Sequence, residues 1–219
     1  MKKHLFFLSF LFVSGAVMAQ SKPSFGVRVG VVNSSMSGDA VNNFQNLLTY
    51  TGGAVTSHSK TGFYGGGFVS IPVSENFSVE PGLTYTQKGY ELRGSLGIKG
   101  TDIIGGKSQL DLAYIEMPVL AKATISGLQL FAGPQVGYLA SANLHTTAGV
   151  FGFNFINDKR DVKDQFNPWD VSLTGGVGYQ FGNGFSINAA YDHGLSKVNS
   201  GQSIQAYNQA VKVGVGFRF

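Results

Sequence analysis

The sequence predicts an all-β fold, an eight-stranded antiparallel up-and-down transmembrane β-barrel. Three observations carry that prediction. Long segments alternate apolar and small or polar residues with a period of two, the pattern of a strand with two different faces. The connections between those segments are short and long by turns. The chain opens with an export leader, and after it no stretch is long and apolar enough to cross a bilayer as a helix, so a membrane form must be a closed barrel.

The leader is "MKKHLFFLSFLFVSGAVMAQ". It has a basic start, a short run rich in Leu and Phe, and then Val17-Met18-Ala19, a small-x-small cleavage pattern. The expected division is therefore 1–19 as a cleaved signal peptide and 20–219 as one barrel domain. Only 13% of the 219 residues are charged, about half the usual share of a soluble domain. The formal charge is +4, of which Lys2 and Lys3 belong to the leader, so nucleic acid is not an expected partner. The absence of cysteine excludes disulfides, thiolate metal sites and a cysteine nucleophile.

Eight strands are expected at about 24–35, 61–71, 76–87, 110–124, 127–142, 169–181, 184–194 and 208–219. The first places Phe25, Val27, Val29 and Val31 on one face and Gly26, Arg28 and Gly30 on the other. The second, "TGFYGGGFVSI", carries aromatics on both parities. The third separates Phe77, Val79, Pro81, Leu83 and Tyr85 from Ser78, Glu80, Gly82 and Thr84. The fourth is apolar on both faces for part of its length. The fifth separates Leu128, Leu130, Ala132, Val136 and Tyr138 from Gln129, Gly133, Gln135 and Gly137. In the sixth, Val171, Leu173, Val177, Tyr179 and Phe181 oppose Asp170, Ser172, Thr174, Gly176, Gly178 and Gln180. The seventh sets Phe185, Ile187, Ala189 and Tyr191 against Ser186, Asn188 and Asp192. The last, "AVKVGVGFRF", sets Val211, Val213, Val215, Phe217 and Phe219 against Lys212, Gly214, Gly216 and Arg218. Pro81, Pro118 and Pro134 fall inside strands and remove ladder donors, so bulges or kinks are expected there.

The links "PVSEN", "ISG" and "FGNG" are short and carry turn residues. Those at about 36–60, 88–109, 143–168 and 195–207 are long, as outer loops of such a barrel are. Phe25, Phe77, Phe181, Phe185, Phe217 and Phe219 cluster near one set of strand ends, and Tyr85, Tyr138, Trp169 and Tyr191 near the other. Two aromatic girdles are what a bilayer with two interfaces selects. The competing architecture is a secreted soluble barrel, with the faces inverted and the Val and Phe set lining an apolar ligand cavity.

By parity, Arg28, Glu80, Glu116, Lys122, Asp192, Lys212 and Arg218 point into the lumen, and a network of interior ion pairs is expected because buried charges must be paired or hydrated. No catalytic, cofactor or metal residue is assigned. His193, beside Asp192 and near Ser196, is the best candidate for a lipid hydrolase, but strand neighbours point to opposite faces. His58, His145 and His193 lack ligand spacing. "NDKRDVKD" (157–164) lacks a calcium-loop core. "GGVGYQFG" (175–182) sits in a strand with no helix after it, so it fails as a nucleotide loop. "NNFQNLLTY" (42–50) is the most apolar loop segment, a short helix over the mouth or a partner contact.

Three stretches, "FGVRVGVVNSSMSGD" (25–39), "FSVEPGLTYTQKGYELRG" (77–94) and "YIEMPVLAKAT" (114–124), resemble the outer-membrane β-barrel domain of Bacteroidetes proteins known as the PorT family. The Tyr114-x-Glu116-x-Pro118-x-Leu120 core is the most specific part. The resemblance implies an eight-stranded barrel in the cell outer membrane, with the terminal Phe219 as the signal that the barrel-assembly machinery recognises. The expected role is structural or interactive, with outer-membrane lipid around the wall and envelope or secretion proteins as partners of the outer loops. The alternatives are a small passive pore, a PorT-like secretion component and a lipid hydrolase.

Overall fold

The computed structural model describes residues 22–38, 55–98, 101–150, 153–198 and 205–219. The expected leader and the segment 42–50 lie outside them. Nine strands follow in chain order: β1 (Ser24–Ser37), β2 (Val55–Pro72), β3 (Phe77–Ile98), β4 (Thr101–Ile125), β5 (Leu128–Val150), β6 (Phe153–Asp161), β7 (Trp169–Gln180), β8 (Phe185–Gly194) and β9 (Tyr207–Arg218). All pairings are antiparallel. Eight strands close a ring in the order β1-β2-β3-β4-β5-β7-β8-β9, with β9 returning to β1. β6 pairs with the far part of β5, outside the ring.

The register sets the shape. Val29 leads through Gly65, Tyr85 and Ile115 to Tyr138 on β5. In the other direction, Val29 leads through Val215, Ile187 and Tyr179 to Leu128, also on β5. The two paths meet ten residues apart. A stagger of ten over eight strands, at ordinary rise and spacing, tilts the strands by about 41° and gives a backbone radius of about 8 Å. Side chains alone can fill so narrow an interior.

The alternation is realised as expected. Phe25, Val27, Val29 and Val31 of β1 are exposed, as are Val211, Val213, Val215 and Phe217 of β9, while Lys212 is buried. The apolar set is thus the outer wall and the small and polar set the interior. A soluble barrel would bury the opposite set. Along the tilted strands, the aromatics at the turn end fall in a layer about 6 Å deep, and those at the other end are staggered over about 12 Å. Tyr138 packs edge-on against Trp169, and Phe217 edge-on against Phe219.

Two expected loops prove to be largely strand. Residues 88–109 continue β3 and β4 as a paired ribbon as far as Ile98 and Thr101. Residues 143–150 form the far part of β5 and 153–161 all of β6. Pairing with a neighbour beyond the apolar wall needs no apolar face, and so leaves no alternation in the sequence. At the other end, Ser126 and Gly127 both have positive φ, 50° and 88°, between paired Ile125 and Leu128, the geometry of a tight two-residue hairpin.

The prolines correct a second expectation. No shift of register, and so no bulge, marks them. At each, one ladder lapses and resumes in the same register: between Phe68↔Gly82 and Ile71↔Val79 around Pro81, between Thr84↔Glu116 and Pro81↔Val119 around Pro118, and between Pro118↔Gln135 and Ala121↔Ala132 around Pro134. Each missing donor faces a short gap in pairing rather than an inserted residue.

Candidate functional site

The interior is the most unusual feature of the chain, and it is built in two tiers. In the tier nearer the turns, Glu80 of β3 accepts from Arg28 of β1 at 3.2 Å and from Lys122 of β4 at 2.6 Å, both on the same oxygen. The Phe68 ring lies 4.6 Å from the Arg28 guanidinium and 5.7 Å from the Lys122 ammonium, and Phe131 lies 5.6 Å from Lys122. Aromatic faces thus share the load of two cations held by one carboxylate.

The second tier centres on Glu116, which is fully buried. Lys88 of β3 reaches its Oε1 at 2.7 Å, while Lys212 of β9 and the Thr86 hydroxyl reach its Oε2, each at 2.7 Å. Lys88 also pairs with Asp170 of β7 at 3.3 Å, and Lys212 with Asp192 of β8 at 2.7 Å. Asp192 accepts from Thr174 at 2.8 Å. A chain of ions therefore crosses the barrel through β3, β4, β7, β8 and β9. Arg28, Lys88, Lys122 and Lys212 balance Glu80, Glu116, Asp170 and Asp192. Between and around the tiers, Tyr64 donates to Asn188 at 3.1 Å and Asn208 donates to the Tyr114 hydroxyl at 3.3 Å.

Above the second tier the interior turns apolar. Leu112, Tyr114, Leu139 and Ala142 line the wall, and Val162 and Val198 fold over them from the segments after β6 and β8. Val162 is tied to Ala142 by a backbone bond of 3.0 Å, and Asn167 to Val198 by one of 2.8 Å. This cap explains why β4 read as apolar on both faces: its inward residues support a plug.

Of the expected interior residues, Arg28, Glu80 and Lys122 come together, as do Glu116, Asp192 and Lys212. Arg218 has the inward parity, opposite Gly26, but lies exposed at the rim and has no ion pair among the described residues. Lys88 and Asp170 complete the second tier. Asp170 already stood on the inward face of its strand; Lys88 stood one position past the expected end of its strand, where parity was not followed. All four motif residues, Tyr114, Glu116, Pro118 and Leu120, are buried and face the lumen; the motif is one inner wall written at every second position.

The remaining candidates are placed plainly. Asp192 faces inward to Lys212, whereas its neighbour His193 is exposed beside Tyr191. The Ser196 hydroxyl accepts from the Val171 N–H at 2.7 Å and donates to Asp170 at 3.4 Å. His145 contacts Asn157 at 2.7 Å. Among the described residues no group of three His, Cys, Asp or Glu could hold a metal ion. Phe219 is exposed at the turn end, and its N–H donates to Phe25 at 2.8 Å.

Comparison with known proteins places this architecture. No curated protein matches the chain in sequence. Among solved structures, the chain is similar to Ail, the attachment invasion locus protein of Yersinia pestis, at 16% identity over 91% of this chain and 100% of that one, with a TM-score of 0.42. It is similar to Neisserial surface protein A at 12% identity over 91% and 100%, with a TM-score of 0.45. It is also similar to the outer membrane protein OprG of Pseudomonas aeruginosa at 13% identity over 90% and 95%, with a TM-score of 0.37. The family model described as outer membrane protein beta-barrel domain matches residues 18–200. With its apolar outer wall, its closed eight-strand ring and its charged interior, the chain belongs to that family of outer-membrane β-barrel proteins.

Proposed function

We propose that this protein is a closed outer-membrane scaffold, neither pore nor enzyme, which presents an extracellular β-sheet to envelope or secretion proteins. The observation that carries this reading is the filled interior: two tiers of paired charges under an apolar cap, inside a backbone radius of about 8 Å. A conducting lumen of this width would need water along its length, and the cap of Leu112, Tyr114, Leu139 and Val162 opposes that.

In an outer-membrane barrel the short turns face the periplasm and the longer connections face outward. The extended parts of β2, β3, β4 and β5 then stand above the membrane as a continuous sheet with β6 at its margin. The far edge of β6 is unpaired among the described residues, and Phe155 and Ile156 on it are exposed. An open edge of this kind offers main-chain donors and acceptors to an extended segment of another protein. The Tyr114-to-Leu120 motif supports a PorT-like assignment within the Bacteroidetes branch, and the sheet supports a secretion-linked role. The separate orientations of Asp192, His193 and Ser196 support a non-enzymatic one.

Proteoliposomes containing the full chain should swell in small sugars no faster than empty vesicles; clear acceleration would overturn the closed reading. A photo-crosslinking residue at Phe155 should capture a protein partner on intact cells, and its failure to capture one would overturn the interaction role.

A further inference from the structure

In the second tier three carboxylates, Glu116, Asp170 and Asp192, share two ammonium groups, those of Lys88 and Lys212. Taken alone, the tier has one acid in excess, and a proton on one carboxyl restores its neutrality. The Lys88 side chain is 1% exposed, that of Asp170 4% and that of Glu116 0%. The Lys88 ammonium stands 2.7 Å from Glu116 Oε1 and 3.3 Å from Asp170 Oδ2, with the Tyr114 ring 5.3 Å away. Glu116 Oε1 has no directed hydrogen bond among the described residues. An amine, a carboxyl group and a carboxylate oxygen free to carry protons thus meet beneath the apolar cap of Leu112, Leu139, Val162 and Val198.

The other lysine–aspartate pair of the tier is held differently. Besides Lys212, Asp192 accepts from Thr174 at 2.8 Å and from Gln135 at 3.5 Å. Among the described residues Asp170 has, besides Lys88, only the Ser196 hydroxyl at 3.4 Å, so it is the less firmly held as an ion.

We infer that Lys88 and Asp170 condense into an intramolecular isopeptide bond, with Glu116 as the proton carrier. Glu116 takes one proton from the Lys88 ammonium and passes it to Asp170, leaving a neutral amine beside a neutral acid. The Nζ lone pair attacks Cγ of Asp170 and the C–N bond forms. A second nitrogen proton travels through Glu116 to the departing hydroxyl, the C–O bond breaks, and one water leaves. The amide keeps the third proton, Glu116 ends as the carboxylate it began, and nothing is oxidised or reduced. Groups held in contact react as though at concentrations of about 10⁵–10⁸ M, and the apolar cap opposes the return of water that would hydrolyse the amide. The bond joins β3 to β7, which share no ladder, at positions 82 apart in the chain. In a protein without cysteine it staples distant strands as a disulfide would.

The test is the mass of the full chain, refolded from denaturant into lipid vesicles and sampled over days. Freshly refolded chain, before the bond forms, holds the ion pairs and has the full mass. The folded chain should then lose one water, and proteolysis should release a branched peptide joining residues 88 and 170. Lys88→Met and Asp170→Ala should keep their full mass. Glu116→Gln should slow the loss at least about a hundred-fold, the weight of a positioned proton carrier. Asp170→Asn offers the same carbon with ammonia as the leaving group and should reach the same final mass as the wild type. Heat-shifted gel mobility restricts the comparison to folded barrels. Full mass in the folded wild type after that time would overturn the proposal, as would a branch that maps to Lys212 and Asp192, or an unchanged rate in folded Glu116→Gln.

Discussion

Replacing Glu80 by Gln should destabilise the barrel more than replacing Glu116 by Gln, although Glu116 is the more deeply buried and has more partners. Glu80 is the only described carboxylate in contact with Arg28 and Lys122. Its removal leaves two cations on one side of a barrel about 8 Å in backbone radius with only the Phe68 and Phe131 rings and partial hydration of Arg28 in return. Breaking a buried pair by removing one partner costs about 3–5 kcal/mol, because the remaining charge is uncompensated. Glu116→Gln differs in kind. Lys88 keeps Asp170 and Lys212 keeps Asp192, so each cation retains a carboxylate. The loss is then about 1.5–3 kcal/mol, the weight of a hydrogen bond to a charged group. The assay is equilibrium urea unfolding in lipid vesicles, followed by the fluorescence of Trp169, the only tryptophan in the chain, and checked by heat-shifted gel mobility. Glu80→Gln/Lys122→Met should recover part of the loss, since only Arg28, which is 19% exposed in its side chain, remains unpaired. Equal effects of the two single substitutions, or a larger one for Glu116→Gln, would refute the argument from residual pairing.

Three further outcomes are expected. Gly66→Ala should cost about 1–3 kcal/mol through overpacking, because the added carbon meets the β3 backbone at Leu83 and Thr84; Gly67→Ala, whose added carbon meets only the Gly26 carbonyl at 3.7 Å, an ordinary contact, should stay within about 0.5 kcal/mol, both read by the same unfolding assay. Burial opposes ionisation of Glu91, beyond the outer girdle, but Lys107 and Arg93 outweigh it and hold its carboxyl below the ordinary value. Its stabilising effect is therefore present above the unfolded value of about 4.3 and fades as pH falls through the lower folded one. Hydrogen exchange at 91–109 should accelerate as the pH drops into that range, and a flat profile would exclude this pair as a clamp on the β3–β4 ribbon. Deleting Phe219 should reduce outer-membrane assembly in cells while shifting the urea midpoint of refolded protein little, because the ring is exposed; a large midpoint shift would mean that it acts through packing.

The fold was legible in the sequence because a barrel wall between lipid and a narrow interior imposes its demand locally. Each residue must suit one face, so Phe25 to Val31 and Val211 to Phe219 record the membrane at every second position, and tight turns at Ser126-Gly127 and Asn183-Gly184 record the end of each hairpin. Seven of the eight interior charges stood on an inward face by parity for the same reason, all but Lys88. Where that demand ended, so did the record. Beyond the apolar wall neither face of a strand has to suit lipid, and the paired extensions of β3, β4, β5 and β6 carried no such record. Lys88 went unassigned to the interior at that boundary. Parity alone could say that Arg28 and Glu80 face inward; it could not say that Lys122 completes their tier or that Glu116 stands between Lys88 and Lys212. Those pairings depend on the ten-residue stagger, a property of ring closure that no single strand contains. Val162 and Val198 likewise cap the mouth only because segments far apart in the chain return over it. The alternation determined what each strand faces; the closure of the ring decided which charges meet.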